Sequence, residues 1–152
     1  MGNASTATRV VTYNVQRWKR LDAIVETLVQ TSPDVLCLHE VCATTAPDAL
    51  DRVADACGMA NAHFFGHVRE GRYGNAILTR RPSTLEAEWR LAGGSTIGGV
   101  AMSGTHRIVR GALVVALDSG VHVACTHLDH ISEDERRTQA RGSASPGCRG
   151  RG

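Results

Sequence analysis

Apolar residues recur in this chain with more than one rhythm, and each rhythm selects an element. Residues 9 to 15, RVVTYNV, are rich in β-branched and aromatic side chains and predict a first strand. In LDAIVETLVQT, residues Leu21, Ile24, Val25, Leu28 and Val29 form one helical stripe, which the Ser32-Pro33 step must end. Val35, Leu36, Cys37 and Leu38 are continuously apolar, as in a strand covered on both faces. A second helix is expected over residues 47–57, with Pro47 in its first turn and Gly58 just past its end. From residue 62 the period shortens. AHFFGHV, GNAILTR, STLEAEWRL, RIVRGALVVAL and VHVACTH read as strands, with REGRYG and Asp118-Ser119-Gly120 as turns. Ser132 and Glu135 have the spacing of a capping box and open a helix through DERRTQA.

The order strand-helix-strand-helix, then several strands, then a helix implies a parallel pair joined by a crossover, followed by an antiparallel sheet. No internal repeat is present. The organisation predicted is a disordered start over residues 1–8, one incomplete domain over 9–141, and a disordered tail over 142–152. After Ala140 comes RGSASPGCRGRG, without apolar periodicity. A capped helix running into such a stretch is expected where translation changes frame or uses a different exon.

Composition changes this picture little. With 152 residues and 42% hydrophobic content the chain suits one domain with a real core. A net charge of +2 is too mild to argue for nucleic acid or an acidic membrane, and no dense Lys/Arg stripe suggests tight duplex binding. Five cysteines show no CxxC spacing, and Cys37 and Cys125 sit in apolar runs as small hydrophobes. A reducing, cytoplasmic setting and a monomer are expected. No apolar stretch is long enough to span a bilayer. MGNAST matches the myristoylation pattern at Gly2 with Thr6 in last position, but chance is the better explanation of so short a motif.

Three polar residues stand where predicted strands leave the core: Asn14, Glu40 and His127. Strand ends in layered α/β proteins converge on clefts. A carboxylate such as Glu40 suits Mg²⁺, a hard ion that prefers oxygen. Asn14 could hydrogen-bond that ligand or an oxyanion, and His127 could move protons near neutral pH. Taken singly, each has a plainer role, Glu40 as a solvated strand end, Asn14 as a turn cap and His127 as a satisfied histidine.

TYNV, PDVLCLHEV, YGNAILTR and THLDHISEDERRTQA, in this order and at these separations, resemble the first half of an endonuclease/exonuclease/phosphatase domain of the pancreatic deoxyribonuclease type. The resemblance covers residues 9 to about 141. It implies a four-layer α/β/β/α sandwich, here truncated, and a metal-dependent hydrolase of phosphoesters (nucleic acid, phospholipid or sugar phosphate). It implies Mg²⁺ or Mn²⁺ held by Glu40, with Asn14 beside the ion and His127 at the scissile phosphate. Tyr73 and Asn75 would lie in a substrate-binding loop, although a turn and strand start account for them as well. Arg136 and Gln139 would be architectural, and Asp129 and His130 could touch substrate. His39 replaces the family's usual Gln before the metal-binding Glu, a swap expected to be tolerated because that side chain should point to the other side of the strand. The family's later G-D-x-N and S-D-H motifs are absent from the sequence. The chain as given is therefore expected to be inactive. A reading from another class is a non-catalytic membrane-associated interaction protein anchored through myristoylated Gly2. That reading needs a second membrane signal, since one acyl chain binds marginally.

Overall fold

The computed structural model describes residues 7–68, 70–98 and 105–143, so Gly2 and the tail beyond Ser143 lie outside the described residues. In chain order the elements are β1 (Val10–Asn14), α1 (Leu21–Thr31), β2 (Val35–Cys42), α2 (Ala49–Cys57), β3 (Asn61–Val68), β4 (Tyr73–Thr79) and β5 (Ser83–Arg90). Then follow β6 (Thr96–Gly98), β7 (Thr105–Arg107), β8 (Gly111–Leu117), β9 (His122–Thr126) and α3 (Glu133–Ser143). β1 and β2 pair in parallel across α1, as the crossover reading requires, and β4 and β3 extend that sheet antiparallel in the order β1-β2-β4-β3. A second antiparallel sheet runs β5-β8-β9, and β6 with β7 makes a separate ribbon.

Two apolar layers share β2 and β4. On one face Leu36, Leu38, Ala76 and Leu78 pack against Ile24 and Leu28 of α1 and Val53 of α2. On the other, Val35, Cys37 and Ile77 meet Leu113, Val115, Val123 and Cys125 of the second sheet. Burial on both faces is why the β2 run is continuously apolar rather than alternating. Ile77 is fully buried between the sheets, and truncating such a side chain costs about 2–5 kcal/mol. The result is the α/β sandwich expected from the sequence, helices on sheet on sheet, with α3 as the third helix.

Some boundaries moved, for physical reasons. The second helix begins at Ala49, with Asp48 rather than Pro47 in front of its first turn, and Gly58 ends it at φ +64° in a left-handed cap. RIVRGALVVAL is not one strand. β7 ends at Arg107, and the chain crosses to the second sheet through Ile108 to Arg110, where Ile108 N–H donates to Ser95 O and Leu91 N–H donates to Arg110 O. The capping box is half formed: Ser132 Oγ accepts from Glu135 N–H at 3.3 Å, but the Glu135 carboxylate accepts from Gly94 N–H at 2.7 Å instead. The helix continues past Ala140 to Ser143, and polar contacts anchor it to the rest of the fold. Fully buried Gln139 accepts from Asp129 N–H at 2.7 Å, and Arg136 donates to Asp129 O at 3.2 Å. Among the described residues no helix is long and apolar enough to cross a membrane.

Candidate active site

The strand registers bring the C-terminal ends of β1, β2, β3 and β9 to the same end of the sandwich as the start of β4 and β8. Glu40 stands there by an irregularity that the apolar run conceals. β2 does not end at Glu40 but continues through Val41 and Cys42, and the register against β4 breaks between Leu38 and Val41. His39 and Glu40 together oppose the single residue Asn75, a β-bulge. Leu38 and Val41, three apart, both face the helices, so one residue has dropped out of the alternation. Glu40 adopts φ +58°, a left-handed conformation that costs a non-glycine residue about 1–2 kcal/mol. A bulge re-aims a side chain, and the half-buried Glu40 lies within the field of His39, Arg110 and His127.

Arg110 organises this end. It is 6% exposed, at the start of the second sheet, and donates from Nη1 to His127 Nδ1 at 3.3 Å and from Nη2 to His130 Nδ1 at 3.0 Å. Its buried Nε has no partner among the described residues. A guanidinium can only donate, so Nδ1 of His127 must carry a lone pair and the proton of the neutral ring sits on Nε2. Burial first, and the Arg110 charge second, push the His127 pKa down to about 4. His127 is thus a neutral N–H donor at pH 7 rather than a group titrating near neutrality.

His39 does not point away from the site, contrary to expectation. Its Nε2 is 2.8 Å from Thr12 Oγ1, its Nδ1 is 3.8 Å from Cys125 Sγ, and its ring lies 5.4 Å from that of His127. The same alternation that sends Cys37 into the inter-sheet layer sends His39 there. Its pKa is lowered, mainly by burial, while a bond with Asn75 and the charge of Glu40 act the other way.

Asn75 is buried opposite the bulge and donates from Nδ2 to Gly111 O at 2.9 Å, tying β4 to the second sheet. A Cβ at Gly111 would come 2.7 Å from the His67 ring, so glycine lets β8 start close against β3. Half-buried Tyr73 interacts electrostatically with Arg110. Asn14 shares the strand end, paired in register with His39, and its Oδ1 accepts from Gln16 N–H at 2.9 Å. Gln16, Arg17 and Trp18 then all take left-handed φ, held by the buried Trp18 ring. Asp129 is structural. Its carboxylate accepts from the backbone N–H of Ser95, Ile131 and Ser132 and from Ser95 Oγ. Burial alone would raise its pKa, but these donors hold it well below the usual carboxylate range.

The structure gathers Glu40, His127, Tyr73 and Asn75 around Arg110, for which the sequence suggests no role, and His39, which the sequence places on the other side of the strand. A cation inside an apolar run was the available signal for Arg110. Among the described residues, no three His, Cys, Asp or Glu side chains form a metal-holding group. A carboxylate with no ion pair among the described residues fits Mg²⁺ or Mn²⁺, hard ions that take one or two carboxylates and keep waters.

A sequence comparison with curated proteins finds no match. Solved structures share the fold. ANGEL2, a 2′,3′-cyclic phosphatase, matches with TM-score 0.60 at 17% identity over 92% of this chain and 50% of its own. The human Nocturnin catalytic domain with bound sulfate matches with TM-score 0.58 at 22% identity over 90% and 56%. The endonuclease/exonuclease/phosphatase from Bacteroides vulgatus matches with TM-score 0.61 at 18% identity over 90% and 58%. The chain thus spans about half the length of the structures it matches. The model of the Endonuclease/Exonuclease/phosphatase family matches residues 11–146, and the chain belongs to that family.

Proposed function

We propose that this end of the sandwich is the ion- and phosphate-binding half of a metal-dependent phosphoester hydrolase site. The observation that carries the reading is the bulge, which holds Glu40 in a left-handed conformation in the field of Arg110 and His127. Strained backbone persists where the surrounding structure over-determines it, and such places cluster at functional sites.

Glu40 would hold Mg²⁺ or Mn²⁺, with water and the substrate phosphate completing the shell. The ion would supply polarisation of the phosphoester and stabilisation of the departing oxygen. Arg110, buried and cationic, faces the same space and is suited to a phosphate oxygen. His127, neutral with its proton on Nε2, donates a hydrogen bond to charge developing on the phosphate. Its lowered pKa supports charge stabilisation at the phosphate over protonation of the leaving oxygen. Asn14 orients this end of β1 beside the ion, and Tyr73 and Asn75 wall the substrate side. Nocturnin, a relative by fold, was solved with a sulfate anion, which is compatible with an anion-binding site in this architecture.

No second carboxylate is free to act as base beside Glu40 among the described residues, Asp129 being fully engaged. A missing general base is worth ~10²–10⁴ in rate, so the 152-residue chain is expected to bind ion and phosphate while turning over near background. The test is Mn²⁺ titration of the full chain and of Glu40→Gln, followed by water-proton relaxation, with circular dichroism as control. Loss of binding in a folded Glu40→Gln supports the reading. Equal binding by both proteins removes Glu40 from the ion.

A further inference from the structure

We infer that the groove between the Gln16–Trp18 turn and α1 is a second anion subsite, which takes a phosphate other than the one undergoing reaction. This rests on the phosphoester reading above. The groove has a volume of about 360 Å³, within the range of small-ligand sites, and Asn14 forms one of its walls. It therefore opens directly from the end of β1 that the candidate active site uses.

Its lining has two parts. Tyr13 and Ile24, both packed in the helix-side core, make an apolar floor. Lys19 and Arg20 make a cationic rim. Neither side chain has a hydrogen bond or ion pair among the described residues. Asp22, the acidic residue in the first turn of α1, does not line the groove and is paired with Arg52 at 2.7 Å. The rim is fixed in place by the chain on both sides. Trp18, buried in the core, anchors the left-handed turn in front of it, and Ile24 N–H donates to Arg20 O at 2.9 Å, starting α1 behind it. Two adjacent cations held this way beside an apolar floor recognise an anionic group attached to an organic body. Next to a site that binds a phosphoester, the fitting ligand is a substrate with a second phosphate, and a lone monoester would leave the rim unused.

That second phosphate could belong to a nucleotide chain or to a small bisphosphate. Isothermal titration calorimetry of the full chain in Mg²⁺ separates them with two probe pairs. One pair is the thymidine dinucleotide TpT with and without a 5′-phosphate. The other is glucose 1,6-bisphosphate against glucose 6-phosphate. The doubly charged member of at least one pair should bind roughly tenfold tighter, the scale of a charge-assisted contact to phosphate. K19A/R20A should erase that preference while leaving TpT and glucose 6-phosphate binding unchanged. The preference should also shrink as salt is raised, since the rim is exposed. Preference in the dinucleotide pair alone assigns a nucleotide chain, and preference in the sugar pair alone assigns a small bisphosphate. A preference that survives K19A/R20A, or no preference where the singly charged probes bind in a Glu40-dependent way, overturns the subsite and leaves the phosphoester reading standing. Failure of every probe to bind overturns both.

Discussion

The two ends of the sandwich are built from the same strands, yet they treat polar residues in opposite ways. At the end where β1, β2 and β9 begin, cations meet carboxylates. Arg81 pairs with Asp118 at 2.9 Å, Arg80 with Asp34 at 3.8 Å, and Asp34 also accepts from Arg9 N–H at 2.8 Å. These groups lie largely in solvent, and none of the four paired residues takes a left-handed φ, although Ser32, two residues ahead of Asp34, does at φ +46° where it caps α1. At the other end the arginine is buried and faces two histidines, and the carboxylate makes no ion pair among the described residues. The backbone there is left-handed at Glu40 and through Gln16, Arg17 and Trp18. One end satisfies its own charges in water. The other keeps unlike groups apart around a shared space, an arrangement that costs stability and makes sense where a ligand completes it.

Substitutions should separate the ends sharply. The largest effect is expected from Glu40→Gln, which should weaken Mn²⁺ binding by at least the ~10–100-fold typical of losing even an outer partner of a metal site. Nearly as large is Arg110→Leu. A charge-assisted hydrogen bond is worth about 1.5–3 kcal/mol, so phosphate affinity should fall roughly tenfold or more. The same variant should raise the His127 pKa above about 4, because it removes the second cause of the shift and leaves burial in place. Histidine titration by NMR reads this directly, and an unmoved His127 would contradict the arrangement proposed at this end.

Acid should act through the site end as well. His67 and His127 are both held neutral in the fold, mainly by burial, with pKa values lowered to about 4. Unfolded histidine titrates near 6.5, so between about pH 6.5 and 4 the unfolded chain binds more protons than the folded one. Stability is then complete above that window and falls as pH drops through it. The loss is on the order of 2 kcal/mol once solvent screening is allowed for. Urea unfolding at pH 7 and pH 4.5 measures it, and a His67→Phe variant should flatten the slope. The smallest effect belongs to the opposite end. Arg81→Ala should cost under about 1 kcal/mol and leave ion and phosphate binding untouched, as exposed pairs do. A large binding defect there would erase the contrast between the ends.

The residues that the structure gathers at the candidate site are only unevenly legible in the sequence. Glu40, His127, Tyr73 and Asn75 were named from strand ends and motif resemblance, and the structure brings them together. Asn14 reaches the same end but turns its side chain to the Gln16 N–H and the groove. His39 was misplaced because strict alternation was carried through Glu40, although Val41 and Cys42, apolar on the far side of it, already hinted at a phase change. Arg110 was hidden inside a stretch read as a single strand. Asp129 is held by four donors, from its own loop and from Ser95, a loop-fixing role that the sequence does not reveal.

Periodicity is a local property, and local properties fixed the order of elements in this chain: the stripe of α1, the doubly buried run of β2, the left-handed cap at Gly58. Side-chain hydrophobicity and backbone sterics act over a few residues, so they can be read from a few residues. The site's chemistry was decided by contacts between segments far apart in the chain. His127 is neutral because it is buried beside Arg110, 17 residues away, and His39 belongs to the site because the second sheet brings Cys125 and His127 over it. Desolvation and the field of a neighbouring charge depend on where other segments come to rest, and only packing of the two sheets sets those distances.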